Sequence, residues 1–93
     1  MQHLRPQPGM ACSIVDSRGS RPATVHAVTG NRHTIVRLDR IVTKDGRRRA
    51  QPDPIGLVRV FTLRHNGHWL QFPTRDDPAR LFLGQRKLYS VTP

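Results

Sequence analysis

Glutamate is absent and lysine occurs only at Lys44 and Lys87, so the ionic residues of this chain are almost all arginines and aspartates. Lys and Arg together number 16 against 6 acidic residues, a formal net charge of +10 on 93 residues. A domain this basic attracts polyanions, because each cation that meets a phosphate releases condensed counterions. Arginine also grips phosphates and carboxylates in a bidentate manner that lysine cannot match. The charge therefore indicates a class of partner, but it indicates no reaction.

Cysteine occurs once, as Cys12, which excludes an internal disulfide and leaves any zinc site dependent on other ligand types. No apolar stretch approaches the ~18 residues of a membrane span. The first nine residues contain two prolines and no apolar run, unlike a secretory signal peptide. The glycines are scattered and form no phosphate-binding loop. We expect a soluble cytoplasmic protein with no membrane association and no cofactor.

Aromatic residues make up only 5% of the chain, and all of them lie in its second half. The chain is long enough for one domain at most, with a small core. Its best core-forming residues therefore follow position 56, and they are Phe61, Trp69, Phe72, Phe82 and Tyr89.

The apolar residues cluster into short runs separated by turn-forming residues, and no helical periodicity is visible. Such a pattern predicts about six short strands in an all-β fold, either a small SH3-like barrel or a strongly bent antiparallel sheet. We expect residues 1–9 to form a flexible tail and residues 10–93 to form the domain. Residues 44–56, with three arginines and two prolines, are predicted to be a long basic loop. Strands are predicted at 10–15, 23–28, 34–38 continuing to 41–43, 57–63, 80–83 and 88–91, and residues 64–72 are predicted to complete a hairpin with the strand at 57–63.

A β-hairpin is predicted around Asn66-Gly67, because this dipeptide favours a two-residue type I′ turn. Counting outward pairs Leu63 with Leu70 on a core face that also carries Phe61 and Phe72. The same register pairs His65 with His68, and Arg64 with Trp69 as an exposed cation–π pair.

Two groups of basic residues are candidates for phosphate contacts. The run of three arginines after Lys44 is typical of a segment that grips a polyanion, although a solvated loop is the alternative. Strand arginines beside Trp69 could form a basic face with one stacking platform, although a lone Trp is more often part of the core. The candidate nucleic-acid-binding residues are Arg37, Arg40, Lys44, Arg47, Arg48, Arg49, Arg59, Arg64 and Trp69.

Chemistry beyond binding has little support in the sequence. His65 and His68 are close enough across the predicted turn to share a metal ion, but two imidazoles do not complete a site. Cys12 belongs to no nucleophile motif and is expected to be a buried apolar residue. The adjacent Asp76 and Asp77 are typical of a turn. We predict no catalytic residue, no metal ligand and no enzyme.

Two stretches of the chain resemble small phage-encoded proteins of the SH3-like barrel type. One runs from residue 9 to 16 (GMACSIVD) and on through 22–28 (PATVHAV); the other comprises 60–69 (VFTLRHNGHW), 81–86 (LFLGQR) and Tyr89. Together they cover about half the chain. The resemblance implies a fold and a phage origin, and it carries no functional residues across. The loop from Arg47 to Pro54 has no place in it.

Two functions remain open. The leading one is a non-catalytic module that contacts DNA or RNA through its arginines. The alternative is a phage-encoded inhibitor that binds an acidic face of a host protein or ribonucleoprotein, for example a CRISPR effector or other defence or transcription machinery. The location would then be the host cytoplasm. A homodimer formed through an exposed edge strand is also possible.

Overall fold

The computed structural model describes residues 5–30, 32–72 and 78–84. These residues contain eight β-strands and no helix. The strands are β1 (Ala11–Asp16), β2 (Gly19–Thr29), β3 (His33–Leu38), β4 (Arg40–Lys44), β5 (Arg47–Gln51), β6 (Val58–Leu63), β7 (Trp69–Phe72) and β8 (Arg80–Leu83).

Six of the strands form a closed antiparallel barrel in the order β1-β2-β3-β6-β7-β8, and the all-β prediction is confirmed. The barrel closes where β8 pairs with β1, from Cys12 opposite Leu83 to Val15 opposite Arg80. One extra residue, His26, lies between two registers of the β2–β3 ladder and forms a bulge. Strands β4 and β5 form a separate two-stranded sheet.

The core fills the interior of the barrel with side chains from alternating strand positions, since successive residues of a strand point to opposite sides. In β3, Thr34 and Val36 are buried while Ile35 between them is only half-buried. Cys12 is fully buried, as the sequence predicted. The apolar core consists of Cys12, Ile14, Ala23, Val25, Val36, Phe61, Trp69, Ala79 and Leu81.

The β6–β7 hairpin exists, but its predicted register is wrong by one residue. Leu63 lies opposite Trp69, and the Arg64 N–H donates to His68 O at 2.9 Å. The loop therefore has three residues, with Gly67 in the left-handed region at φ 82°. The shift turns Trp69 into the core and leaves Phe72 56% exposed, the reverse of the predicted arrangement. Burying a tryptophan removes much more apolar surface from water than burying a leucine would.

The prediction of a long loop at residues 44–56 is wrong for the first half of that range. Residues 47–51 form β5, which pairs with β4 as a hairpin. The predicted continuation of the third strand from residue 38 to 43 is also wrong, because β3 and β4 belong to different sheets. Asp39 stands between them, with its N–H donating to Pro22 O at 3.1 Å.

Some predictions fall outside the described residues. They concern the strand predicted at 88–91, which contains the core candidate Tyr89, and the turn predicted at Asp76 and Asp77. At the other end of the chain, the Gly9 N–H donates to Val25 O at 2.8 Å, so the polypeptide joins the barrel before β1 begins. No helix in the described parts of the chain has the length and apolar character needed to cross a bilayer.

Candidate nucleic-acid interface

Strands β4 and β5 form a two-stranded ribbon with a tight turn at Asp45-Gly46. Asp45 has φ 54° and Gly46 has φ 75°, and two successive positive φ values define a type I′ turn. Asp-Gly is among the dipeptides that this turn prefers. The ladder is regular from Lys44 opposite Arg47 to Arg40 opposite Gln51. The ribbon is therefore encoded locally by its turn, although its strands contain few apolar residues.

Directly opposed residues share a face of the ribbon, so the register sorts its side chains into two sets. One set contains four of the ribbon's five cations, and we name it the ribbon face. The other set contains Ile41, Thr43, Arg48 and Ala50. The ribbon face consists of Arg40, Val42, Lys44, Arg47, Arg49 and Gln51.

The ribbon face is exposed and strongly positive. Lys44, Arg47 and Arg49 are exposed, and none has a hydrogen bond or ion pair from its side chain to another described residue. Arg40 is held across the ribbon, because Gln51 Oε1, with the amide turned toward it, accepts from Arg40 Nε and Nη2 at 2.9 Å each. The guanidinium groups are therefore presented to solvent without a neutralising carboxylate on the same face.

The base of the ribbon is fixed to the barrel by the segment that returns from β5 to β6. The Leu38 N–H donates to Leu57 O at 2.8 Å, and Arg37 Nη1 donates to Gly56 O at 3.2 Å. Gly56 lies so close to β3 that an added Cβ would overlap Leu38 O. Asp53 shapes the segment by accepting from the Ile55 N–H at 3.1 Å. An isolated hairpin is marginal in water, so these contacts matter for holding the ribbon in place.

A cavity of about 190 Å³ opens at the barrel end from which the ribbon extends. Strands β1, β3 and β7 end there and β2, β6 and β8 begin there; we call this end the mouth. Of the described residues, three arginines and one carboxylate line the cavity, and apolar side chains form part of its wall. Its lining consists of Ile14, Asp16, Arg18, Arg21, Leu38, Arg59, Gln71 and Ala79.

The predicted binding residues are only partly brought together. Arg40, Lys44, Arg47 and Arg49 share the ribbon face, whereas Arg48 lies on the opposite face. Arg37 lies at the base of the ribbon, and Arg59 lines the mouth cavity.

Two of the candidates lie away from this region. Arg64 follows β6 at the far end of the barrel. Trp69 is only 9% exposed, so its predicted role as an exposed stacking platform is wrong, and the residue directly opposite it in the ladder is Leu63, not Arg64.

Sequence reasoning missed Arg18 and Arg21, which line the cavity beside Arg59. Arg21 lies directly opposite Ile14 in the β1–β2 ladder. The available signal was the period-2 pattern, which assigns Arg21 to the core-facing side of β2, whereas Arg18 lies in the turn between β1 and β2 and carries no such signal. The sequence did not indicate that these two arginines lie near Arg59, because their proximity depends on how the barrel closes.

The two histidines of the β6–β7 loop are not opposed. Arg64 is the partner of His68, and His68 Nδ1 lies 2.8 Å from Arg80 Nη2. The same guanidinium stacks 5.2 Å from the centroid of the Phe82 ring. Within the described residues there is no cluster of three or more potential metal ligands.

An apolar row crosses the outer wall of the barrel. Ile35 pairs with Val60, and Val60 pairs with Phe72, so the three side chains lie side by side. The Phe72 ring meets the His33 ring edge-on, with centroids 6.1 Å apart. Val58 continues the row toward the mouth and is also exposed.

Comparison with models of known protein families, with curated proteins and with solved structures gives no match.

Proposed function

We propose that this protein is a non-catalytic module that binds nucleic acid through the ribbon face. The observation that carries the proposal is the placement of Arg40, Lys44, Arg47 and Arg49 on one side of a projecting two-stranded ribbon. Cations gathered on one face contact consecutive phosphates of a backbone, which releases counterions and provides affinity without a sequence requirement. Apart from the exposed amine of Lys44, the side chains of that face include no nucleophile or general base, so the proposal assigns it no reaction.

Duplex DNA is the form of nucleic acid that suits the ribbon. The major groove of B-DNA is about 12 Å wide and admits a two-stranded β-ribbon, whose strands are about 4.8 Å apart. The corresponding groove of A-form RNA is deep and narrow. Single-strand binders rely on aromatic rings that stack beside their basic groove, and here Trp69 is buried while the exposed rings of Phe72 and Phe82 are not part of the ribbon face. These considerations favour a duplex held mainly by its phosphates.

The test compares two double variants that remove equal charge. Arg47→Gln with Arg49→Gln alters the ribbon face, and Arg32→Gln with Arg64→Gln alters exposed arginines at the opposite end of the barrel. Binding to a labelled duplex is measured by fluorescence anisotropy over a series of salt concentrations. Each phosphate contact contributes about −0.9 to the slope of log K against log salt. We expect the ribbon variant to lower the magnitude of the slope by about 1.8 and the matched control to leave it nearly unchanged.

Equal losses in the two variants would contradict the proposal, because they would mean that net charge alone governs binding. Absence of duplex binding by the wild-type protein at low salt would also reject it. Circular dichroism on all three proteins separates these results from loss of the fold.

A second candidate function is an inhibitor that binds a host protein. It is favoured by the apolar row at Ile35, Val60 and Phe72, because protein interfaces combine an apolar centre with a polar rim and Phe72 is 56% exposed. The arginines would then meet carboxylates of the partner. A pull-down from bacterial lysate with and without nuclease distinguishes the candidates. A stoichiometric protein that survives nuclease treatment and is lost in Phe72→Asp would support the inhibitor.

A further inference from the structure

The mouth cavity is formed by charged side chains at positions that belong to the core-facing side of the barrel. Arg21 lies directly opposite Ile14, and Arg59 lies directly opposite Val36, whose side chain is fully buried. Opposed residues share a face of the sheet, so both arginines occur where the inward pattern of their strands would place apolar residues. Gln71, opposite the buried Phe61, completes the same layer. The interior of the barrel is thus mostly apolar, whereas its mouth carries cationic side chains.

Among the residues that the structure describes, cations outnumber carboxylates at this mouth. Arg18, Arg21 and Arg59 line the cavity, with Asp16 as its carboxylate. The guanidinium groups of Arg18 and Arg21 have no hydrogen bond to another described residue, and the Asp16 carboxylate accepts from the backbone N–H of Arg18 at 2.8 Å. Arg59 Nη1 donates only to Val58 O, at 3.0 Å. An anion in the cavity would therefore find guanidinium donors that no other described side chain occupies.

The dimensions and the walls of the cavity fit a small anion. Its volume of about 190 Å³ is well below the ~300 Å³ at which sites for drug-sized ligands begin. It is several times the ~30 Å³ that one water molecule takes in the liquid. Ile14 and Ala79, both nearly buried, line its wall and lower the local dielectric, which strengthens the attraction between guanidinium and anion. The planar guanidinium group of arginine can donate two parallel hydrogen bonds to two oxygens of one phosphate group.

We infer that the mouth cavity is a phosphate-binding site, distinct from the ribbon face, in which Arg21 and Arg59 grip one phosphate group with help from Arg18. This inference rests on the proposed function in one respect: the phosphate group is taken to be part of a nucleic-acid backbone. Leu38 lines the cavity and Arg40 begins the ribbon two residues later, roughly 7 Å along an extended chain. One backbone can therefore reach from the cavity to the ribbon face.

The first arm of the test uses inorganic phosphate and does not depend on nucleic acid. Phosphate is titrated against chloride at constant ionic strength, and backbone amide shifts are followed by NMR in wild-type protein, Arg21→Gln, Arg21→Lys and the control Arg32→Gln. We expect saturable shifts confined to amides of residues 16–21, 38 and 59. We expect binding at least fivefold weaker in Arg21→Gln, intermediate in Arg21→Lys, and unchanged in Arg32→Gln. Shifts that do not saturate, or that occur equally at Arg32 and on the ribbon, would overturn the inference.

The second arm measures the salt slope of duplex binding in Arg21→Gln. We expect the slope to fall in magnitude by about 0.9, one phosphate contact, while the ribbon variants retain their own effect. A normal slope combined with absent phosphate binding would reject the cavity site and leave the ribbon proposal standing. Saturable phosphate binding with no affinity for any duplex would reject the proposed function and assign the cavity to a free phosphate compound.

Discussion

Lys44 and Arg47 lie directly opposite each other in the last pair of the ribbon before its turn. Like charges in directly paired positions destabilise an antiparallel ladder, and here a second arginine, Arg49, follows on the same face. The ribbon thus holds together against repulsion among its own side chains. A polyanion lying across the face relieves that repulsion, so ligand binding and ribbon order support each other.

Lys44→Glu should therefore stabilise the ribbon and weaken binding at the same time. An opposite-charge pair contributes roughly 0.2–1 kcal/mol relative to an Ala–Ala pair, and the native like-charge pair is destabilising, so the substitution stabilises the ladder while the face loses two units of positive charge. Amide hydrogen exchange in β4 and β5 measures the first effect, and duplex affinity at fixed salt measures the second. Lys44→Gln should lie between wild type and Lys44→Glu in both. Unchanged affinity in Lys44→Glu would exclude the ribbon face as the interface.

Arg48 and Arg49 are neighbours in sequence on opposite faces, and this makes them a matched pair. Arg49→Gln should lower the magnitude of the salt slope by about 0.9, whereas Arg48→Gln should change it by much less. Both residues are exposed, so neither substitution should alter the global stability appreciably. The salt slopes of the two variants are compared by fluorescence anisotropy with the same duplex and the same series of salt concentrations. Equal effects would show that the bound backbone does not distinguish the two faces.

Trp69→Ala should lower the free energy of unfolding by about 3–5 kcal/mol, the usual cost of removing a large buried aromatic side chain. Phe72→Ala should lower it much less, because its ring is mostly exposed. Urea unfolding followed by circular dichroism measures both. In the intact protein the fluorescence of Trp69 should be insensitive to added duplex. Strong quenching by DNA would contradict the buried position.

Gly56→Ala should loosen the ribbon from the barrel without unfolding the barrel. The new Cβ would overlap Leu38 O, so the segment between β5 and β6 must move and its contact with Arg37 is lost. Hydrogen exchange should quicken at the amides of residues 38–56 and remain slow in β1 and β2. Gly30→Asn is the control, since a Cβ at Gly30 meets nothing within 4 Å and Asn tolerates positive φ. Uniform acceleration across the barrel would contradict this account of the anchor.

The sequence predicted the barrel class well, because the strands of the barrel are short apolar runs interrupted by turn residues. It failed at the hairpin register, where Asn66-Gly67 fits a two-residue turn as well as the last two positions of a three-residue loop. The choice between the two depends on whether Trp69 or Leu70 faces inward. Which of the two side chains faces inward depends on the space inside the closed barrel, and local pairing rules give no information about that space.

The ribbon was missed for a different reason. Asp45-Gly46 carries the same turn signal as Asn66-Gly67, but the residues after it are three arginines, which composition assigns to a solvated loop. A strand of charged residues is possible here because the ribbon has no core to enter and its pairing is set by the turn. The arginines themselves were identified; their division between two faces depended on the register.

The sequence could not predict the mouth cavity, because its residues come from five separate strands, from the turn between β1 and β2, and from the segment before β8. Arg18 and Arg59 are 41 positions apart in the chain and meet only because β1, β2, β3 and β6 are consecutive in the closed barrel. The period-2 pattern can flag an arginine on a core-facing position. It cannot show that the position lies at an open end.

Strands β3 and β6 pair directly with each other although residues 39–57 separate them in the chain. The ribbon is therefore an insertion into a barrel whose hydrogen-bonded ladder is already complete without it. Mutations in β4 and β5 can accumulate without disturbing the scaffold, and a ribbon of different length or charge could be grafted at the same two attachment points. The architecture separates the part that must be preserved to fold from the part that is free to acquire a new target.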